Sequence, residues 1–388
     1  MYATFGIEPS YGDDATTQDY VVDLVSDEIL DNVNYVRFTG FNHPTGEGRY
    51  PTIKTIDGRM GLEMTLGNLA WNVIFQALVG QRVSIGGVAF APSPEKWKII
   101  TGMLSADLNV FDLEFTITEY KAGEFDNVDA IIIDGEYITI STISNGVVGS
   151  STRGQAGSTA ASHTQNNIVY GVVNSGSNSI DIILRYRNGF CYSLPTSLTW
   201  LIYRAGDYFK FNGIQFSDFV FNVNPQEGVT TSLAVRGKNS GVITLANYSS
   251  AEDNNPMLDT DNMCCYSMGI ELDVTKFYFQ VSNTLTQGPA KFMDTTFLEI
   301  LLNNIATYGQ FTAVESNIDF YNSYINDDRK NISLNIFDNP SFTKAYIFAF
   351  NQVRWGTMQH MSRTTLLIQD SIPFYVYGAE NFTVLIQN

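Results

Sequence analysis

The sequence predicts a mainly β protein of the α+β kind: two barrel- or sandwich-type domains, each with a flanking helix, plus a small all-β insertion. Three observations carry this. Short segments of alternating apolar and polar residues recur along the chain, as half-buried strands require. Aromatic residues are abundant, with 26 Phe and 21 Tyr, while charged residues make up only 16%, a mixture that suits β structure with long polar loops. At 388 residues the chain exceeds the usual size of one domain, so two are expected.

The elements follow in order. Tyr35-Val36-Arg37-Phe38 opens a strand, and residues 53–66 alternate around Asp57-Gly58, a hairpin signal. One helix stands out. Asn68 is placed to cap its start and Gly80 to end it in the left-handed conformation, with Leu69, Val73, Ile74, Ala77 and Leu78 at helical spacing between them. Trp71 and Phe75 lie off that stripe, so both faces are expected to be covered. Residues 111–120 alternate. Residues 216–223 and 229–236 flank Pro225-Gln226-Glu227-Gly228 as a second hairpin, and residues 274–281, 332–337 and 382–386 continue the strand pattern. Residues 297–305 read as a second helix or, equally, as a buried strand. Residues 118–190, broken by Gly, Ser and Asn, form the insertion. The expected domains are residues 1–117 with 191–245, the module at 118–190, and residues 246–388, the outer two a diverged duplication.

Charge narrows the function. Lys+Arg 22 against Asp+Glu 40 gives a net charge of −18. Such a chain does not grip DNA phosphates or an anionic membrane, because both attractions come from cations. Acidity suits a wall that DNA slides past, but on charge alone plain solubility is the favoured reading. The cysteines Cys191, Cys264 and Cys265 form neither a disulfide framework nor a zinc pattern, and read as thiols of a reducing cytoplasm. The first residues, MYATFGIEPSYGDD, carry no secretory signature, and no apolar run approaches a membrane span.

No catalytic constellation is legible. The histidines are His43, His163 and His360. No Gly-x-Ser-x-Gly elbow accompanies them, and His163, in a Gly/Ser-rich loop, reads as a turn-stabilising residue before it reads as a base. No zinc or phosphate-loop motif occurs. Asp253, Asp259 and Asp261 either hold calcium or, the favoured reading, form a solvated acidic loop. A pair of carboxylates for glycoside hydrolysis stays open. The aromatic residues read as core before they read as a sugar-binding face. No cofactor, metal or enzymatic activity is expected.

Several stretches resemble a known family. Phe5-Gly6-Ile7-Glu8, a polar loop, residues 53–66 and the helix ending Ala77-Leu78-Val79-Gly80 are similar, in that order, to the first half of the duplicated major tail tube proteins of long-tailed, siphovirus-type bacteriophages. Residues 197–239 resemble the close of that half, with Gly213 and the terminal Gly237-Lys238-Asn239. Residues 266–388 resemble the second tube domain, with Asn283 ending a strand and FTVLIQN closing the chain. Residues 152–170, TRGQAGSTAASHTQNNIVY, are similar to the Arg-Gly-x-x-Gly-Thr-x-Ala-x-x-His pattern of phage tail and baseplate modules, although Ser158 displaces Thr159 by one position. Asp134-Gly135-Glu136 matches the turn that precedes that pattern.

The resemblance implies a structural virion protein, assembled in the host cytoplasm, whose trimeric rings have pseudo-sixfold symmetry and stack into a DNA-conducting filament. The implied partners are further copies of itself and other tail proteins (terminator, distal tail, tape measure), with double-stranded DNA passing through the lumen unbound and no membrane involved. Candidate lumen-facing acidic positions, expected on strands, are Glu63, Asp112, Glu114, Asp218 and Glu271. The loop at 36–51, with Arg37, His43, Glu47 and Arg49, is the candidate inter-ring contact. The alternatives are a distal tail, baseplate hub or tail completion protein, and a carbohydrate-binding tail adhesin.

Overall fold

The computed structural model describes residues 2–38, 48–93, 99–120, 123–185, 187–188, 191–192, 196–204, 206–243, 255, 257–258, 263–267, 270–287, 300–314, 326–327, 329–338, 343–357, 359–362, 368–378 and 381–388. It is mainly β and antiparallel. The first strands are β1 (Tyr2–Ile7), β2 (Tyr20–Asp27), β3 (Leu30–Phe38) and β4 (Gly48–Leu62), followed by helix α1 (Leu69–Val79) and β5 (Gln81–Phe90). Then come β6 (Thr101–Leu104), β7 (Phe115–Thr118), β8 (Ala130–Ile133), β9 (Glu136–Ser144), β10 (Val147–Thr152) and the long β11 (Ile168–Leu184). After the short pair β12 (Arg187–Asn188) and β13 (Cys191–Tyr192) lie β14 (Leu198–Arg204), β15 (Asp207–Asn224), β16 (Gly228–Gly237) and β17 (Asn239–Ile243). The remainder is β18 (Met263–Ser267), β19 (Ile270–Leu272), β20 (Val274–Gln287), β21 (Ile300–Val314), β22 (Lys330–Phe337), β23 (Ala345–Trp355), β24 (Gln359–Ser362), β25 (Ile368–Val376) and β26 (Phe382–Gln387).

Two layers enclose the main core. In one, β4, β16, β15, β20, β21 and β25 neighbour one another in that order. In the other, β22, β23, β26, β11 and β5 do the same, and β23 also pairs with β25 so that the sheet curls round. Between the layers Phe219, Phe221, Phe279, Phe348 and Phe350 interleave, with ring centroids of Phe279 and Phe348 4.9 Å apart. This core takes in side chains from Ala3 to Ile386. The division expected at 245/246 therefore separates two stretches of sequence that share one core, because β15 of the first pairs directly with β20 of the second.

Helix α1 is as expected in extent. The Asn68 side chain accepts from the Ala70 N–H at 2.9 Å, and the Gly80 N–H returns to the Gln76 carbonyl. Gly80 has φ 137° and ψ −95°, a positive φ but not the left-handed helical conformation. Trp71 and Phe75 are fully buried, whereas Leu69 is exposed. The helix end rests on a polar clamp: Arg185 and Asn283, both buried, donate to the Leu78 carbonyl at 2.8 and 2.9 Å, satisfying an acceptor that a helix C-terminus leaves open.

Other expectations are corrected. Asp57-Gly58 is no turn, because both lie inside the continuous strand β4. A Cβ at Gly58 would stand 2.5 Å from the Glu28 carbonyl oxygen and from the Ile29 Cα, so the glycine permits a close backbone crossing rather than a hairpin. The helix option at 297–305 gives way to strand from Ile300 onward, with residues 297–299 outside the described set. Residues 111–114 are not strand, and the regular stretch begins at Phe115. The hairpin at 225–228 forms with Asn224 opposite Gly228. The inserted module is a small closed barrel, in which β11, β6, β7, β10, β9 and β8 pair in that order and β8 returns to β11. It starts before residue 118: its own core gathers Ala91, Ile100, Leu104, Ile117, Phe125, Ile131, Ile138, Val148 and Val169. It ends within β11, whose second half already pairs with β5 and β26.

Candidate functional site

The layer built from β4, β16, β15, β20, β21 and β25 has one face on the core and one face open. Strand alternation decides which side chain goes where. In β15, Phe219, Phe221 and Val223 point inward, so Asp218, Val220 and Asn222 point out. In β20, Phe277, Phe279 and Val281 are buried, leaving Lys276, Tyr278, Gln280 and Ser282 on the open face. The register lines these up across strands: Ser232, Val220, Gln280, Tyr308 and Tyr375 form one row. Thr230, Asn222, Tyr278 and Gln310 form the next.

The open face is polar and knitted together. The Tyr278 hydroxyl donates to Gln280 Oε1 at 2.8 Å, and Gln280 Nε2 donates to Asp218 Oδ1 at 2.8 Å. Tyr308 and Tyr375 lie with ring centroids 6.5 Å apart. Burial, with Tyr308 beside it, raises the Tyr278 hydroxyl above the usual phenol range, so it stays a neutral donor. The charged side chains described on this face are Arg59, Arg236 and Lys276 against Asp57 and Asp218, with Arg236 and Asp57 paired at 3.4 Å. Chemically the face offers hydroxyls and amides at near-zero net charge. It was missed as a site in the sequence, although the alternation in residues 276–282 marks its outward positions.

The candidate acidic positions do not converge. Asp218 lies on the open face. Glu271 is exposed on β19, where it lines a cavity of about 290 Å³ with Cys264, Leu272, Asp273 and Lys276. Glu63 follows the end of β4, its N–H bonded to the Asp23 carbonyl. Asp112 and Glu114 are off strands: the Asp112 carboxylate accepts from the Asn109 N–H at 2.7 Å and so closes a turn, and Glu114 is exposed just before β7. Of the loop expected over 36–51, the described parts, residues 36–38 and 48–51, are strand. Arg37 and Arg49 stand opposite each other in the β3–β4 pair. His43 and Glu47, like Asp253, Asp259 and Asp261, lie outside the described residues.

The Arg-Gly stretch builds a buried ionic knot. Asp134 and Gly135, with φ 48° and 88°, make the tight turn from β8 into β9, the type for which Asp-Gly is suited. That turn delivers Glu136, which is 2% exposed. Its two oxygens accept from Arg153 Nε and Nη2 at 2.8 Å each, from the N–H groups of Gly154 (2.8 Å) and Ala161 (3.1 Å), and from His163 Nε2 at 2.7 Å. His163 Nδ1 faces Asp134 Oδ2 at 2.8 Å. Asp134 also accepts from Asn167 and, from β23, Asn351. Gly154 is required twice over: φ is 59°, and a Cβ would meet the Ala160 nitrogen at 2.7 Å.

Burial alone would raise Glu136, but hydrogen bonds from His163, Arg153 and the Ala161 N–H hold it down at about 2. Burial would lower His163, but Asp134 and Glu136 lift it to about 9. Both groups are therefore charged at neutral pH, and the imidazolium has both nitrogens engaged as donors. Such a histidine acts as a cross-link between turns rather than as a proton acceptor. Among the described residues no group of three His, Cys, Asp or Glu side chains is placed to hold a metal ion. No helix among them is long and apolar enough to cross a membrane.

No protein family's model matches the chain, and no curated protein is similar to it in sequence.

Proposed function

We propose that this chain is a structural subunit that polymerises into the tail tube of a long-tailed bacteriophage, its copies forming rings that stack around a DNA-conducting lumen. The observation that carries the reading is the continuous sheet. Two long stretches of one chain, joined at β15–β20, contribute to a single curved layer whose inner side rests on the core and whose other side is open and polar. A layer of this kind serves as a wall once further copies extend it. Extension also covers sheet edges that would otherwise invite uncontrolled pairing. The near-neutral open face, rich in hydroxyls and amides, suits a lumen past which DNA moves without being held, since phosphate binding needs clustered cations. The resemblance in residue order to duplicated tail tube proteins supports the same reading.

Negative-stain imaging of the purified full chain tests it. Hollow tubes, or rings stacked at a regular repeat, are expected. Single rings that do not stack would assign the chain to a distal tail or hub component, and a monomer at all accessible concentrations would overturn the reading.

A further inference from the structure

The small barrel holds an aromatic ring out in solvent on a turn that is anything but loose. Phe111 is 90% exposed and Leu113 50%. The turn beneath them is fixed from several sides. The Asp112 carboxylate accepts from both the backbone and the side-chain amide of Asn109. Arg153 Nη1 donates to the carbonyls of Asn109 and Asp112 at 2.8 and 3.1 Å, and Ser151 Oγ donates to the Leu113 carbonyl at 2.8 Å. The guanidinium doing this is only 4% exposed and is itself held by Glu136. The Arg-Gly motif thus fixes the shape of a surface turn. A preordered turn loses little entropy on contact, and a large ring standing in water gains on burial. Its rim is acidic, with Asp107 and Glu114 exposed. The surface that fits it is aromatic and cationic.

The chain carries such a surface. Tyr377, 56% exposed, lies between Arg329 and Arg354, whose guanidinium carbons are 4.5 and 5.0 Å from its ring centroid. Among the described residues Arg354 pairs with one acid, Asp327 at 3.5 Å, a well-exposed pair that contributes little. In a chain of net charge −18, copies repel one another unless a contact places cations against acids.

We infer that the Phe111 turn of one copy docks on the Arg329–Tyr377–Arg354 cluster of a second copy of this chain, an acid-rimmed apolar knob on a cationic aromatic platform. The inference rests on the self-assembly reading above and names its contact. Knob and platform are different surfaces, so each copy presents one and receives the other, and the contact propagates as filament growth requires.

The test uses the full chain with a photo-cross-linking phenylalanine analogue at position 111, in a mixture of unlabelled and ¹⁵N-labelled copies. Cross-links between differently labelled copies, into the peptide holding Tyr377, are expected. Phe111→Ala should raise the concentration needed for assembly by about tenfold or more, as loss of a central aromatic anchor does. Its melting should not change, because the ring contacts little in the free chain. Arg354→Glu should weaken assembly likewise, and adding Glu114→Arg should restore it. Wild-type assembly with cross-links elsewhere, or with Phe111→Ala assembling at the same concentration, overturns the contact and leaves the tube reading standing. A wild-type chain that never assembles overturns both.

Discussion

Replacing Glu136 by Gln isolates what the buried knot contributes. The side chain keeps its shape and loses its charge. In the native protein its carboxylate accepts five hydrogen bonds, from Arg153 twice, Gly154, Ala161 and His163. An amide has one acceptor oxygen, so whichever way Gln turns, its NH₂ faces donors. Arg153 and His163 remain as cations whose side chains are 4% and 1% exposed. Removing one partner of a buried, hydrogen-bonded ion pair costs about 3–5 kcal/mol. Urea denaturation, read together with amide hydrogen exchange across β8–β11, should show a loss of that size at neutral pH, concentrated in the small barrel. The turn at 109–112 should lose protection with it, since Arg153 holds that turn. A loss below about 1 kcal/mol, the value of an exposed pair, would refute the reasoning.

Two further outcomes follow from the same geometry. The stabilisation from His163, whose proton is held to about 9 against 6.5 when unfolded, is complete below pH 6.5 and is lost as pH rises through 9. That from Glu136, held to about 2 against 4.5, is present above pH 4.5 and lost as pH falls through 2. Melting temperatures between pH 4.5 and 10 should therefore fall from pH 6.5 upward in the native chain and stay flatter in His163→Gln; parallel curves would remove His163 as the source. Separately, Asn283→Leu strips donors from the Leu78 and Phe216 carbonyls and an acceptor from Arg185, so thermal or urea unfolding should show a loss of about 1–3 kcal/mol. Unchanged stability would mean that Arg185 alone suffices at the helix end.

What was legible in the sequence had a local cause. Asn68 and Gly80 bracket α1 because capping needs only the residues at the ends. The turn at 225–228 follows from Gly228, at φ 77°, set between alternating strands. Gly58 misled because the same residue type serves a turn and a close crossing, and only the approach of Glu28 and Ile29 tells them apart. Residues 297–305 carried apolar content without a period that discriminates, and tertiary pairing with β20 made the described part strand. The Arg-Gly string was visible, and so was Asp134-Gly135-Glu136. That Glu136 is the hub joining both could not be read, since its partners come from turns that only the fold brings together. Asn283 and Glu8 were named by resemblance alone. In the structure Asn283 braces the helix end, and Glu8 accepts from Gly12, Thr199 and Gly213.

The distribution of charge changes the argument from acidity. A net charge of −18 suggested a repelling lumen wall, with Glu63, Asp112, Glu114, Asp218 and Glu271 as its elements. On the open face of the central sheet the described charges are Arg59, Arg236 and Lys276 against Asp57 and Asp218, so the acid excess lies elsewhere. If that face lines the tube, DNA meets hydroxyls and amides, with cations partly neutralised by neighbours such as Asp57 at 3.4 Å from Arg236. Repulsion across a lumen fades over a Debye length of about 8 Å at physiological salt, whereas a wall without clustered cations stays non-adhesive at any ionic strength. The surplus acid then acts between copies. In the proposed assembly it keeps free subunits apart and leaves the cationic sites, Arg329 and Arg354 beside Tyr377 among them, as the places where one copy would approach another.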